Sequence, residues 1–95
     1  GLEMMAEVTR RGATLDAVLV NVSGGGLASG IAVAVKDASP KTEMWTVEPA
    51  GFDDFARSLA SGKPARNAKL SGSICDALMA ESPGKFTLAI GTALM

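Results

Sequence analysis

The pattern of apolar positions changes period along the chain, from helical to strand-like and back. Near the N-terminus, apolar residues at helical spacing predict a short helix: Leu2, Met5, Ala6 and Val8. Gly12 ends that helix. Residues 15 to 22 form an aliphatic run without alternation, which is typical of a parallel strand buried on both faces. Small apolar residues from Leu27 to about Ala38 predict a closely packed second helix.

The second half of the chain begins with another strand, which a further helix follows. Residues 42 to 47 predict a strand, which Pro49 ends because proline cannot donate to a ladder. A helix follows up to Gly62, with four apolar residues on one face: Phe52, Phe55, Ala56 and Leu59. Residues 63 to 72 are polar and predict a loop, whereas residues 74 to 78 favour no single element. A last helix over residues 83 to 94 should bury four side chains: Phe86, Ala89, Ile90 and Ala93.

Strand, helix and strand in this order predict a right-handed parallel unit. The fold class is therefore α/β, a three-layer piece with a short parallel sheet and flanking helices. We interpret residues 1 to 95 as a single partial domain, because the apolar pattern runs to both ends of the chain. Two strands cannot hide both faces of these helices, so we expect the isolated chain to associate through exposed apolar faces.

Composition excludes several functions. The net charge of −1 shows no basic excess, which argues against nucleic acid and anionic membranes as partners. Histidine is absent, so imidazole catalysis and the commonest zinc ligand are excluded. Cys75 is the single cysteine, which favours a reducing, cytoplasmic location, and we expect it to be a small core residue.

The segment Ser23–Leu27 contains three consecutive glycines between the first strand and the second helix. Backbone N–H groups at such a helix start lack internal partners and carry the positive end of the helix dipole, so they favour a phosphate. A Walker loop is excluded, since no lysine follows Gly26 before Lys36. Two alternatives stay open: a tight turn without a ligand, and an NAD-binding Rossmann turn in which Glu48 would contact the ribose. Ser29 in place of the third glycine argues against the Rossmann turn.

Residues 22 to 32, 47 to 54 and 73 to 78 together resemble consecutive segments of the pyridoxal-phosphate-dependent serine/threonine dehydratases, the fold-type II group that includes serine racemase. The resemblance covers nearly the whole chain and implies a piece of the family's large, cofactor-binding domain. It also implies that main-chain N–H groups hold the phosphate of pyridoxal 5′-phosphate at five positions: Ser23, Gly24, Gly25, Gly26 and Leu27. Ser23 stands where the family more often has glycine, and it keeps the N–H donor.

The same resemblance implies a divalent-cation site made by Glu48, the main-chain carbonyl of Phe52, and Asp54. Such hard oxygen ligands suit Mg²⁺ or Ca²⁺. In the family, the lysine that binds the cofactor covalently lies upstream of this region, and the contact to the pyridine nitrogen lies downstream. The implied function is dehydration and deamination of a small 3-hydroxy amino acid to a 2-oxo acid, with this chain alone inactive. The open alternative of another class is a non-catalytic α/β module that binds a phosphate-bearing ligand or self-associates.

Overall fold

The computed structural model describes all residues from Gly1 to Met95. The elements follow one another in the order α1 (Leu2–Arg10), β1 (Ala17–Asn21), α2 (Gly26–Ala38), β2 (Glu43–Val47), α3 (Asp54–Ser61), a 3₁₀ turn (Asp76–Leu78) and α4 (Lys85–Leu94). Each element predicted from the sequence is present, and the undecided segment contains the 3₁₀ turn. None of the helices combines the length and the hydrophobicity that crossing a bilayer requires.

The sheet consists of β1 and β2, which pair in parallel with Ala17 opposite Glu43 and Asn21 opposite Val47. Helix α2 makes the connection between the two strands. This arrangement confirms the predicted α/β class and the parallel order of the strands. It also brings the carboxyl ends of both strands, and the helix starts that follow them, to one edge of the sheet.

One face of the sheet is covered and the other is open. Val18, Val20 and Met44 are buried, and they pack in one apolar cluster with residues of α1, α2 and α3. On the opposite face, Leu19 and Trp45 are 70% and 57% exposed. The prediction that β1 is buried on both faces is therefore wrong for this chain, because its helices pack against the Val18 face and none lies over Leu19.

Helix α4 packs through a different face from the one predicted. Leu88 and Gly91 are buried, whereas Phe86 is 81% exposed and Ala89 and Ala93 are exposed as well. The reason is Gly91: a Cβ atom there would lie 2.8 Å from Cζ of Phe55. Because Gly91 lacks that atom, the ring of Phe55 lies directly against the α4 backbone and is fully buried. Close backbone approach, and not side-chain hydrophobicity, selects the packed face.

Residues 62 to 84 form a connection that is fastened at Asn67. The Asn67 side-chain amide donates to Oδ1 of Asp54 at 2.7 Å and to the carbonyl of Ala80 at 2.8 Å. The Asn67 backbone N–H donates to the carbonyl of Glu81 at 2.8 Å. Cys75 is exposed, so the prediction that it is a core residue is wrong. The connection is held by polar contacts around Asn67 and gives Cys75 no core to enter.

Candidate functional site

The glycine segment lies between the end of β1 and the start of α2. The N–H of Val22 donates to the carbonyl of Val47 at 3.0 Å, which continues the parallel pairing beyond β1. Gly25 then adopts a left-handed conformation with φ of 94° and is the N-cap residue of α2. From Ser29 onward the backbone N–H groups are bonded within the helix, beginning with Ser29 N–H to the carbonyl of Gly25 at 2.9 Å.

The backbone N–H groups of residues 23 to 28 donate to no acceptor within the chain. The first turn of α2 holds no acidic residue and its N-cap makes no side-chain hydrogen bond. A run of unpaired donors at the positive end of a helix attracts an anion. The predicted residues Ser23 to Leu27 therefore share one property, and Ala28, which sequence analysis missed, shares it too. The general rule that a first helical turn leaves its N–H groups free could have included Ala28.

A cleft of about 210 Å³ opens at this segment, lined by residues 21 to 28 together with Ala77 and Leu78. At Gly24 and Gly26, an added Cβ atom would meet nothing within 4 Å. These two glycines therefore border free space, and the volume is sufficient for a phosphate group and its immediate substituent.

Gly25, unlike Gly24 and Gly26, has no free space for a side chain. A Cβ atom at Gly25 would lie 2.5 Å from the ring of Phe55 and 2.8 Å from Thr87. On the same side, the carbonyl of Gly24 accepts hydrogen bonds from the hydroxyl of Thr87 at 2.5 Å and from the N–H of Gly84 at 3.0 Å. Sequence analysis missed these contacts, because nothing local links Gly24 to residues about 60 positions away.

The acidic residues after β2 serve a second helix start. Glu48 accepts the N–H of Phe55 at Oε1 and the N–H of Ala56 at Oε2, both at 2.9 Å. Burial raises the pKa of the Glu48 carboxyl, the charges of Asp54 and Asp53 raise it further, and the two N–H donors lower it in part. The Glu48 carboxylate thus caps the N-terminus of α3.

Asp54 is 1% exposed, and its Oδ1 accepts the amide of Asn67 whereas its Oδ2 has no hydrogen-bond partner. A buried carboxylate oxygen without a partner suits a cation. No group of three or more His, Cys, Asp or Glu side chains is placed to share a metal ion, however. The cation site of Glu48, the Phe52 carbonyl and Asp54 therefore stays a prediction.

A larger groove of about 990 Å³ lies elsewhere, between β2, α3 and the end of α4. Its lining is mainly apolar and includes Trp45, Leu59 and Leu94. Its one cationic side chain, Lys36, donates to the carbonyl of Thr42 at 2.7 Å. The groove offers no converging set of free donors, so the glycine segment is the better candidate for an anion site despite its smaller volume.

Comparison with known proteins agrees with this geometry. The family model described as "Pyridoxal-phosphate dependent enzyme" matches residues 1–93. A phenylserine dehydratase from Ralstonia pickettii is 44% identical over 66 residues, which is 70% of this chain and 20% of that protein. A serine racemase from Oryza sativa subsp. indica is 44% identical over 62 residues, or 65% of this chain and 17% of that protein.

Solved structures show the same likeness in three dimensions. A crystal structure of the T.th. threonine deaminase superposes with a TM-score of 0.95 at 38% identity, covering 99% of this chain and 34% of that one. Maize serine racemase gives a TM-score of 0.87 at 35% identity, covering 99% of this chain and 28% of that one.

The chain thus spans about a fifth of the length of these curated relatives and about a third of the threonine deaminase. Because the family match covers almost every residue, and the backbone follows solved members over its whole length, the chain belongs to the pyridoxal-phosphate-dependent enzyme family.

Proposed function

We propose that this chain is the cofactor-phosphate-binding part of a threonine/serine dehydratase, an ammonia-lyase that uses pyridoxal 5′-phosphate. The observation that carries the proposal is the row of unpaired N–H groups over residues 23 to 28, open to a cleft at the positive end of α2. A phosphate bears several acceptor oxygens and a negative charge, so it would satisfy several of these donors at once. Gly24 and Gly26 present no side chain that would keep it away.

Within the whole protein, residues 1 to 95 would form a single partial domain that anchors the cofactor. Pyridoxal phosphate, when bound, supplies an electron sink for loss of the α-proton and the β-hydroxyl of a 3-hydroxy amino acid. The chain's own contribution is to bind and orient: Ser23 to Leu27 hold the phosphate, and the hydroxyl of Ser23 adds a further donor. No residue of this chain is assigned a proton transfer, and we expect no keto acid from serine or threonine with the isolated chain.

Two other functions fit a phosphate cleft in principle. One is a non-catalytic α/β module for a phosphate-bearing ligand, and the other is an NAD-binding Rossmann-like domain. The match to the pyridoxal-phosphate family, together with relatives named as dehydratases, deaminases and racemases, favours the dehydratase over both.

Calorimetric titration of the purified chain separates these functions. Pyridoxamine 5′-phosphate is the suitable probe, because it has no aldehyde to react with surface lysines. We expect it to bind, unphosphorylated pyridoxamine to bind at least about tenfold more weakly, and inorganic phosphate to compete. Tight NAD binding in place of this pattern would favour the Rossmann-like domain, and equal affinity for pyridoxamine with and without phosphate would contradict the proposal.

The free Oδ2 of Asp54 supports a second, subordinate proposal: Mg²⁺ or Ca²⁺ bound by Glu48, the Phe52 carbonyl and Asp54. Millimolar Mg²⁺ or Ca²⁺ should then raise the melting temperature of the wild-type chain and not that of Asp54→Asn, which keeps the side-chain shape and loses the charge. Equal shifts in both proteins would rule the site out.

The open sheet face with Leu19, Trp45 and Val47 supports a third proposal, that the isolated chain associates. Sedimentation velocity should show oligomers, and a compact monomer over the whole concentration range would count against it. The single exposed cysteine agrees with a reducing, cytoplasmic location, which a localisation experiment on the intact protein would test.

A further inference from the structure

We propose that Thr87, at the start of α4, is a positioning residue of the phosphate loop, through its hydrogen bond to the carbonyl of Gly24. The inference rests on the proposed function, because it assigns Thr87 a part in presenting the N–H groups that would hold the phosphate. Thr87 lies outside the glycine segment and contacts it from another helix.

The orientation of one peptide unit carries the argument. The carbonyl of Gly24 points toward the start of α4, where the hydroxyl of Thr87 lies 2.5 Å away and the N–H of Gly84 lies 3.0 Å away. The same hydroxyl lies 3.0 Å from the carbonyl of Gly84, so the Gly24 oxygen is the nearer of its two acceptors. The chain has no cis peptide bond, and in a planar trans peptide the carbonyl and the following N–H point in opposite directions. The N–H of Gly25 therefore points away from α4. Gly25 itself lines the cleft, whereas no residue of α4 does, so this orientation is compatible with an N–H that faces a ligand in the cleft.

Thr87 is fixed at this place by further contacts. Its backbone carbonyl accepts the hydroxyl of Ser29 at 3.1 Å, and Ser29 is a buried residue in the first turn of α2. Its side chain also lies against Gly25, at 2.8 Å from where a Cβ atom would be. Thr87 thus contacts the chain before and after Gly25, at Gly24 and at Ser29, and these contacts restrain the loop in the absence of a ligand. Such preorganisation strengthens binding by reducing the ordering that a ligand must impose.

Three variants of the full chain separate the hydroxyl from the rest of the side chain. Thr87→Val keeps the shape and removes the hydroxyl, and Thr87→Ser keeps the hydroxyl. Thr92→Val is the matched control, since the hydroxyl of Thr92 lies in the same helix and donates to the carbonyl of Leu88 at 2.9 Å. The probes are inorganic phosphate and pyridoxamine 5′-phosphate. We expect Thr87→Val to weaken binding of both by about five- to tenfold, and the other two variants to stay within about twofold of wild type.

A second readout needs no ligand. Backbone ¹⁵N relaxation should show lower order parameters at Gly24, Gly25 and Gly26 in Thr87→Val, with no change there in Thr87→Ser or Thr92→Val. A merely structural threonine would lower the melting temperature without this local gain in mobility. If wild type binds no phosphate, the proposed function fails, and the relaxation data still decide whether Thr87 fixes the loop.

Unchanged phosphate affinity and unchanged relaxation in Thr87→Val would overturn the inference. Should Thr87→Val not fold, Thr87→Ala removes the hydroxyl without a β-branch and takes its place. If both variants unfold and Thr87→Ser does not, the hydroxyl serves the whole fold, and the assignment of a loop-positioning role is overturned as well.

Discussion

Helices α2 and α3 each follow one of the two parallel strands, and they differ in whether the chain supplies an acceptor for their N-terminal N–H groups. At α3, the carboxylate of Glu48 accepts the N–H groups of Phe55 and Ala56. At α2, no acidic residue and no side-chain cap is present, and the N–H groups of residues 23 to 28 stay open to a cleft. Both starts carry the same positive helix end. The difference shows that the chain supplies an acceptor at the start of α3 and none at the start of α2, where the cleft leaves room for an external anion.

The largest expected effect comes from a substitution at Gly25, the N-cap residue of α2. Gly25→Ala places a Cβ atom against Phe55 and Thr87 in a backbone conformation with φ of 94° that disfavours side chains. Strain and overpacking together should lower the free energy of unfolding by about 3 kcal/mol and abolish phosphate binding. Chemical denaturation measures this. Gly26→Ala is the control, because Gly26 has free space and lies in the helix, and it should keep the stability of wild type.

Making the α2 start resemble that of α3 should have the next largest effect. Ser23→Asp adds a carboxylate beside the open N–H groups, so it competes with an incoming phosphate and repels it. We expect phosphate affinity to fall about tenfold without loss of stability. Ser23→Ala keeps the backbone donor and loses only the hydroxyl donor, so it should lose less affinity than Ser23→Asp. Equal loss in both variants would mean that the serine hydroxyl, and not the charge balance, governs binding.

The reverse change removes the anion from α3. Glu48→Ala leaves the N–H groups of Phe55 and Ala56 without their acceptor. The free energy of unfolding should fall by about 1 kcal/mol, as for the loss of a helix cap. Glu43→Ala is the matched control, since Glu43 is exposed and caps no helix. A Glu48→Ala protein as stable as Glu43→Ala would contradict the capping role.

The smallest effect concerns the pKa of Glu48, which burial and the neighbouring Asp54 and Asp53 raise above 4.5. The native state therefore takes up this proton more readily than the unfolded chain does. The Glu48 contribution to stability should increase as the pH falls through the raised pKa, and it should be smallest at neutral pH. Carbon-13 titration of the carboxyl should show the raised pKa, and Asp53→Asn should lower it. A Glu48 pKa at or below 4.5 in wild type would mean that the two N–H donors outweigh burial and the neighbouring charges, and the predicted pH dependence would be wrong.

The sequence predicted where the unpaired N–H groups of α2 lie, because their cause is local. Consecutive glycines between an aliphatic strand and a helix of small residues indicate the position of the unpaired N–H groups, and the α/β order follows from the apolar pattern. That these groups bind a phosphate stays a prediction. The sequence could not show which glycine is indispensable, because Gly25 is distinguished by Phe55 and Thr87, which arrive from α3 and α4.

Contacts between distant residues also explain why the predicted face of α4 and the predicted two-sided burial of β1 are wrong. The face of α4 follows from the fit of Phe55 against Gly91, and apolar spacing alone favours the side that carries Phe86. The two-sided burial of β1 was inferred from its aliphatic residues, whereas the helices of this chain cover one face. Contacts between distant residues decide which of several apolar faces is used, and a single sequence does not contain them.

The most direct test of the contrast between the two helix starts is a residue-resolved NMR titration of the chain with inorganic phosphate. The amide signals of residues 23 to 28 should shift and saturate together, and those of Phe55 and Ala56, already bonded to Glu48, should stay in place. Equal shifts at both helix starts, or none over residues 23 to 28, would contradict the claim that the start of α2, in contrast to that of α3, is open to an external anion.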